Sequence, residues 1–247
     1  MSLWHSIKEL LGARELPPED PKLEGIQRLL GYNFRDIALL QLGLTHRSFA
    51  RSNNHDQQSN ERLEFLGDSV LGVIISDQLF KDLPLESEGN LTKTKAMLVN
   101  ETTLSTLGRE IGLNKYVRLS PEEDRAGGRE RASIISDAFE AVIGAVYLDG
   151  GIEAARDVVL RLIYIRKDRI VADTSQRNYK GDLLELIQAK GEGVPRYDVI
   201  SEVGPDHEKT FHVVVSIGGL KVGEGVGSSK KEAEQKAAAQ ALESLEK

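Results

Sequence analysis

Residues 60–71 read NERLEFLGDSVL. Glu61, Glu64 and Asp68 stand at i, i+3 and i+7, and a helix turning by about 100° per residue gathers all three carboxylates on one narrow face. Leu63, Leu66, Val70 and Leu71 run beside them. Like charges three or four positions apart destabilise a helix unless a cation neutralises them. The stretch therefore predicts a helix with a cationic partner, and oxygen ligands alone suit a hard divalent ion.

The device recurs in SIISDAFEAVIGAVYLDG at residues 133–150, where Asp137 and Glu140 stand at i, i+3 among Ile134, Ile135, Phe139, Val142 and Val146. So apolar a helix is expected to be buried, where acids are rarely tolerated unless paired or metal-bound. Either helix alone also reads as a solvated charged face with a basic partner. Together, with their apolar backing, they predict one site built from Glu64, Asp68, Asp137 and Glu140. An all-oxygen site suits Mg²⁺ and phosphodiester hydrolysis, with no histidine base or covalent nucleophile required.

Composition bounds the rest. A chain of 247 residues, 40% of them hydrophobic, suits one large or two modest domains. The absence of cysteine excludes disulfides, thiolate zinc sites and cysteine nucleophiles, and fits a reducing cytoplasmic setting. Residues 1–21, MSLWHSIKELLGARELPPEDP, carry no secretory pattern and read as a short amphipathic helix or as disorder. No apolar run is long enough to span a membrane. The net charge is −7, and residues 176–247 hold 10 Lys plus Arg against 12 Asp plus Glu, or −2. Nucleic-acid binding by such a chain must rest on local clusters rather than on total charge.

Residues 23–49 predict two short helices broken at Gly31-Tyr32-Asn33, and residues 51–59 a polar loop. The acidic helix is expected to stop near Pro84, and Asn90 is a candidate N-cap for a helical stretch ending around Gly108 and Gly112. DRAGGRER, residues 124–131, reads as a loop and residues 152–169 as a last amphipathic helix. Gly67 and Gly72 each cost a helix about 1 kcal/mol relative to alanine, which suggests close approach of another helix, such as one across a two-fold axis. After a polar linker, VADTSQRN, the pattern becomes helix, three β-branched strands and helix, an α+β domain. There Ser229 and Glu232 form an S-x-x-E capping box that sets Lys230 and Lys231 at a helix N-terminus, where lysine charge and helix dipole both attract phosphate. Lys236 lies about 1.5 turns further on.

NERLEFLGDSVL, with LTHRSF before it, EGNLTKTKAMLV after it and the later SDAFEAVIGAVYLDGG, resembles bacterial ribonuclease III from about Gly25 to about Arg169. The remainder resembles that family's double-stranded-RNA-binding domain. The resemblance implies a mainly α protein: an N-terminal extension (residues 1–22), an all-helical endonuclease domain (23–170), a linker (171–176) and an α-β-β-β-α RNA-binding domain (177–247). It implies a cytoplasmic, homodimeric, Mg²⁺-dependent endonuclease, with Mn²⁺ able to substitute, that makes staggered cuts in double-stranded RNA. The ends left would be 5′-phosphate and 3′-hydroxyl, and the tasks ribosomal-RNA and messenger-RNA processing. Asp68 and Glu140 take the central catalytic positions, with Glu61 and Glu88 as supporting acids and Glu64, Asp68, Asp137 and Glu140 as metal ligands. An ion pair with Arg62 or Arg131 is the ordinary alternative for Glu61, and helix-start stabilisation for Glu88. His46 and Arg47 match the family in a packing role, and Phe65 matches an aromatic that inserts into the partner. Glu185, Gln188, His207, Lys230, Lys231 and Lys236 match or supply RNA contacts. Gly181 and Leu184 stand where polar contact residues are common, and Asn90 where an aspartate is common.

Two other functions compete. A duplex-RNA-binding protein with a degenerate nuclease domain should have lost the four acids first. A helical hydrolase of small phosphorylated substrates would not need the appended RNA-binding module.

Overall fold

The spacing of Leu23, Ile26 and Leu30 produces α1, Leu23–Leu30, with those three side chains buried. α2, Ile37–Gly43, is started by Asp36, whose carboxylate accepts from the Ala38 amide at 3.1 Å. α3, Arg47–Ser52, adds a third short helix where the sequence predicts only two. These elements come from a computed structural model that describes residues 23–52, 58–173, 178–205 and 209–245. The N-terminal extension, the middle of the polar loop, residues 174–176 of the linker and His207 lie outside the described residues.

α4, Glu61–Asp82, is the acidic helix, and it ends two residues before Pro84. α5, Glu88–Val99, begins earlier than the Asn90 cap predicts, because the Ser87 hydroxyl accepts from the Asn90 amide at 3.3 Å. The helical stretch that follows is interrupted. Asn100 turns extended, its side chain accepts from the Thr103 amide at 2.8 Å, and a separate α6, Glu101–Glu110, starts there. A short α7, Pro121–Arg125, begins just before the predicted glycine loop. α8, Ala132–Leu162, carries the second pair of acids and breaks at Gly151, whose φ of 82° favours glycine. α9 is Lys167–Ala172.

Two helices organise the core. α4 buries Leu71, Ile74, Ile75 and Leu79, and α8 buries Phe139, Val142 and Val146 against them in one cluster. Full burial of such a side chain is worth about 1.5–3 kcal/mol relative to exposure. The helices meet at glycines: a Cβ on Gly67 would drive into the Glu140 carbonyl, and one on Gly144 into the Leu63 carbonyl. The close neighbour of Gly67 is thus a helix of the same chain rather than a symmetry mate. Gly72 instead faces the Lys95 side chain.

The chain divides into two units, Met1–Ala172 and Asp173–Lys247. The second is α10 (Tyr179–Ala189), β1 (Arg196–Val203), β2 (Thr210–Ile217), β3 (Leu220–Gly227) and α11 (Lys230–Leu245). The antiparallel sheet runs in the order β1-β2-β3. Val213 and Val215 of β2, Leu183 and Ile187 of α10, and Ala233, Ala237 and Ala241 of α11 form its core. Along β3, Gly223, Gly225 and Gly227 face α11 so closely that a Cβ on each would strike its backbone. Among the described residues no helix is long and apolar enough to cross a membrane.

Candidate active site and nucleic-acid interface

The crossing at Gly67 and Gly144 fixes the position of the acids. Asp68 adjoins Gly67, and Glu140 supplies the carbonyl that Gly67 touches, so the two central acids are brought to one place by backbone packing. Asp68 is exposed, whereas Glu64, Asp137 and Glu140 are half-buried.

The electrostatics shows that the four acids sense one another. Burial first, then the charges of Asp68, Glu64 and Asp137, push the Glu140 carboxyl up to about 8. Burial and Asp137, followed by Glu61, raise Glu64. Burial and then Glu101 raise Asp137. One guanidinium, Arg47, opposes these shifts at Glu64 and Asp137. Half-buried carboxylates crowded in this way favour either a proton or a cation.

Among the described residues no group of three or more Asp, Glu or His side chains is arranged to hold a metal ion as it stands. The donor set nonetheless fits a hard divalent ion: it is all oxygen, carries excess negative charge and is open on the Asp68 side, where Mg²⁺ would keep waters. Were such an ion bound, Glu64, Asp68, Asp137 and Glu140 would be the side chains to hold it.

The supporting residues separate. Glu61 accepts from the Ser59 hydroxyl at 2.6 Å and lies 3.8 Å from Arg47, not paired with Arg62 or Arg131. Arg131 pairs instead with Glu123 at 2.7 Å. Glu88 sits in the first turn of α5, accepts from Thr92 Oγ1 at 3.0 Å, and is not among the charges acting on the cluster. His46 is buried, with Nδ1 2.9 Å from Ser48 Oγ, and burial depresses its basicity, as suits a packing residue. Sequence reading missed Glu101 and gave Arg47 only a packing role. Glu101 begins a different helix, so no i, i+3 spacing links it to Asp137.

Phe65 is 79% exposed, and Val73 and Phe80 on the same helix are 60% and 73% exposed. The sequence left open whether Phe65 is a core residue; it is not.

In the C-terminal unit Lys230 and Lys231 are exposed at the start of α11, and Ser229 Oγ accepts from the Glu232 amide at 3.2 Å. The reciprocal half of the capping box is shifted by one residue. Glu232 accepts from the Ser228 amide at 2.9 Å and the Ser228 hydroxyl at 2.7 Å. Lys230 Nζ stands 5.7 Å from the Phe211 ring centroid, and Lys236 pairs with Glu232 at 2.7 Å. Glu185 and Gln188 are exposed together on α10, with Leu184 exposed beside them.

Comparison with known proteins follows the same division. A "Ribonuclease-III-like" family model matches residues 36–166, and a "Double-stranded RNA binding motif" model matches residues 179–245. A Ribonuclease 3 of Hahella chejuensis is 48% identical over 225 residues, 91% of this chain and 97% of that protein. One from Caldanaerobacter subterraneus subsp. tengcongensis is 44% identical over 220 residues, 89% and 96% of the two chains. A solved structure of the ribonuclease III nuclease domain from Campylobacter jejuni, described as flexible in a region involved in dimer formation, is similar with a TM-score of 0.55. It is 41% identical and spans 58% of this chain and 96% of its own.

Proposed function

The chain belongs to the ribonuclease III family, and on that premise we propose that it is a magnesium-dependent endoribonuclease. It hydrolyses double-stranded RNA by staggered cuts that leave 5′-phosphate and 3′-hydroxyl ends, and it serves ribosomal-RNA and messenger-RNA maturation in the cytoplasm. The observation that carries this reading is the quartet of Glu64, Asp137 and Glu140, half-buried, with the exposed Asp68, in which burial and then the neighbouring carboxylates push Glu140 up to about 8.

Glu64, Asp68, Asp137 and Glu140 would hold the ion, which when bound supplies an activated water and charge stabilisation for the leaving oxygen. Asp68, the exposed member, faces arriving RNA. Glu140, the most shifted, holds a proton at neutral pH until a cation replaces it. Glu61 and Glu88 act as supporting acids on the substrate side. Substituting Mn²⁺ keeps the same oxygen ligands.

Duplex RNA hides its base edges in a deep groove and displays 2′-hydroxyls in a shallow one, so it is read by shape. Lys230 and Lys231 approach backbone phosphate from the helix N-terminus, with Lys236 extending the contact. Glu185 and Gln188 reach 2′-hydroxyls, and His207 enters the minor groove. The protein acts as a homodimer, since Phe65, Val73 and Phe80 lie within about 80° of one another around α4 and expose an apolar stripe suited to self-pairing about a two-fold axis. The residues that carry function thus fall into an N-terminal nuclease domain and a C-terminal RNA-binding domain joined through residues 171–176.

The test is incubation with long duplex RNA in Mg²⁺ and in EDTA, for the parent and for Asp68→Asn and Glu140→Gln. The parent should cleave only with the ion, and both variants should retain the duplex uncut. Parental cleavage rates in either variant would remove the assignment; a parent that binds without cutting would make the chain an RNA-binding protein instead.

A further inference from the structure

A groove of about 340 Å³ runs along α4 and α5, lined by Asp68, Ser69, Gly72, Ser76, Lys95 and Val99. Asp68 stands at one end. Gly72 follows Asp68 by four residues, one helical turn along the same face. An ideal Cβ on Gly72 would lie 3.5 Å from Lys95 Nζ and 3.6 Å from its Cε, so the lysine head group lies across the glycine, a turn from Asp68.

Lys95 differs from the other basic groups near the acids. Arg47 lies 3.8 Å from Glu61, and Arg131 pairs with Glu123 at 2.7 Å. Lys95 is half-buried and has no ion-pair partner among the described residues. A partly desolvated ammonium without a counter-charge favours an anion. The hydroxyl of Ser76, on the same side of α4, adds a neutral donor to the groove, whereas that of Ser69 donates to the Phe65 carbonyl at 3.3 Å.

We propose that Lys95 is a substrate-binding residue whose ammonium group takes a backbone phosphate adjoining the one cleaved, with the α4–α5 groove as the path of that strand. The inference rests on the endoribonuclease reading: with a scissile phosphate at Asp68, the groove that begins there and continues past Gly72 offers the neighbouring backbone a path. The groove also carries an apolar lip at Val73 and Val99, so the competing occupant is an apolar side chain from a second copy. The ammonium and hydroxyl donors favour phosphate.

The full chain is made as Lys95→Ala, Lys95→Gln and Lys95→Arg. Cleavage of one defined duplex is measured in Mg²⁺, binding of that duplex in EDTA across a salt series, and association state by sedimentation. Losing one charge-assisted contact should raise KM roughly tenfold with kcat nearly unchanged, and should flatten the log–log salt slope by about one. Lys95→Arg should restore both, and all variants should sediment as the parent does. Unchanged KM and slope in a parent that cleaves would overturn the inference while leaving the endoribonuclease reading intact. A shift to a lighter species in Lys95→Ala and Lys95→Gln would also overturn it, assigning the groove to the second copy. A parent that fails to cleave but loses slope on substitution would refute the endoribonuclease reading and keep the phosphate contact.

Discussion

Replacing Gly67 by alanine sets two effects of opposite sign against each other. Within α4 the change should gain about 1 kcal/mol from helix propensity. Against that, the new methyl would enter the Glu140 carbonyl and lie 3.0 Å from the Gly144 nitrogen. Those are backbone atoms, which no rotamer change can move aside, so the overpacking cost belongs at the upper end of about 1–3 kcal/mol. The net is a loss of about 2 kcal/mol. In a unit of this size each kcal/mol moves the melting midpoint by about 2–4 °C, which gives a fall of about 4–8 °C. Gly72→Ala is the internal control. Its methyl meets only the Lys95 side chain, at 3.5 Å, an ordinary contact. That variant should melt about 2–4 °C higher than the parent. Calorimetry of the three proteins, with duplex cleavage measured alongside, checks both signs. Cleavage should fall in Gly67→Ala because Asp68 and Glu140 are pushed apart. If Gly67→Ala melts at or above the parent, the helices do not meet where the argument requires.

The remaining predictions concern charge and association. Glu140 titrates near 8 when folded and near 4.5 otherwise, so the folded chain holds the extra proton between those values and stability falls as pH rises through that window. Glu64 and Asp137, also raised, act in the same direction. Melting in EDTA should therefore drop from about pH 5 to about pH 8, and less steeply in Glu140→Gln; equal slopes would contradict a repulsive cluster. Added Mg²⁺ should restore more stability at the alkaline end. Changing both Lys230 and Lys231 to alanine should weaken duplex binding and flatten its salt slope by about two, with the melting curve unchanged. Phe65→Ser should shift sedimentation toward monomer without unfolding the chain, and a variant that stays dimeric at low micromolar concentration would count against the stripe.

The helical unit and the α-β-β-β-α unit were legible because apolar spacing of 3.6 and 2 residues governs both. The acids of α4 and α8 were legible for the same reason, since spacing along one helix is a local property. What the sequence hid depends on contacts between distant segments or on single side chains. Asn100 sits inside a helical pattern, yet its own side chain ends the stretch by accepting from the Thr103 amide. Ser87 starts α5 ahead of Asn90, although both residue types cap helices well. Gly67 and Gly72 look alike in sequence, but one meets backbone and the other a flexible lysine. Glu101 joins the electrostatics of Asp137 across a gap of 36 residues that no periodicity reports.

The strip of Gly223, Gly225 and Gly227 beneath α11 leaves no β3 side chain between that strand and the helix. The helix consequently sits directly on the backbone of β3, and Lys230 and Lys231, in the role proposed for them, would meet a phosphate from a fixed helix start. Little backbone freedom would then remain for capture to freeze out. One methyl added to that strip would lift the lysines out of aim while leaving both of them chemically intact.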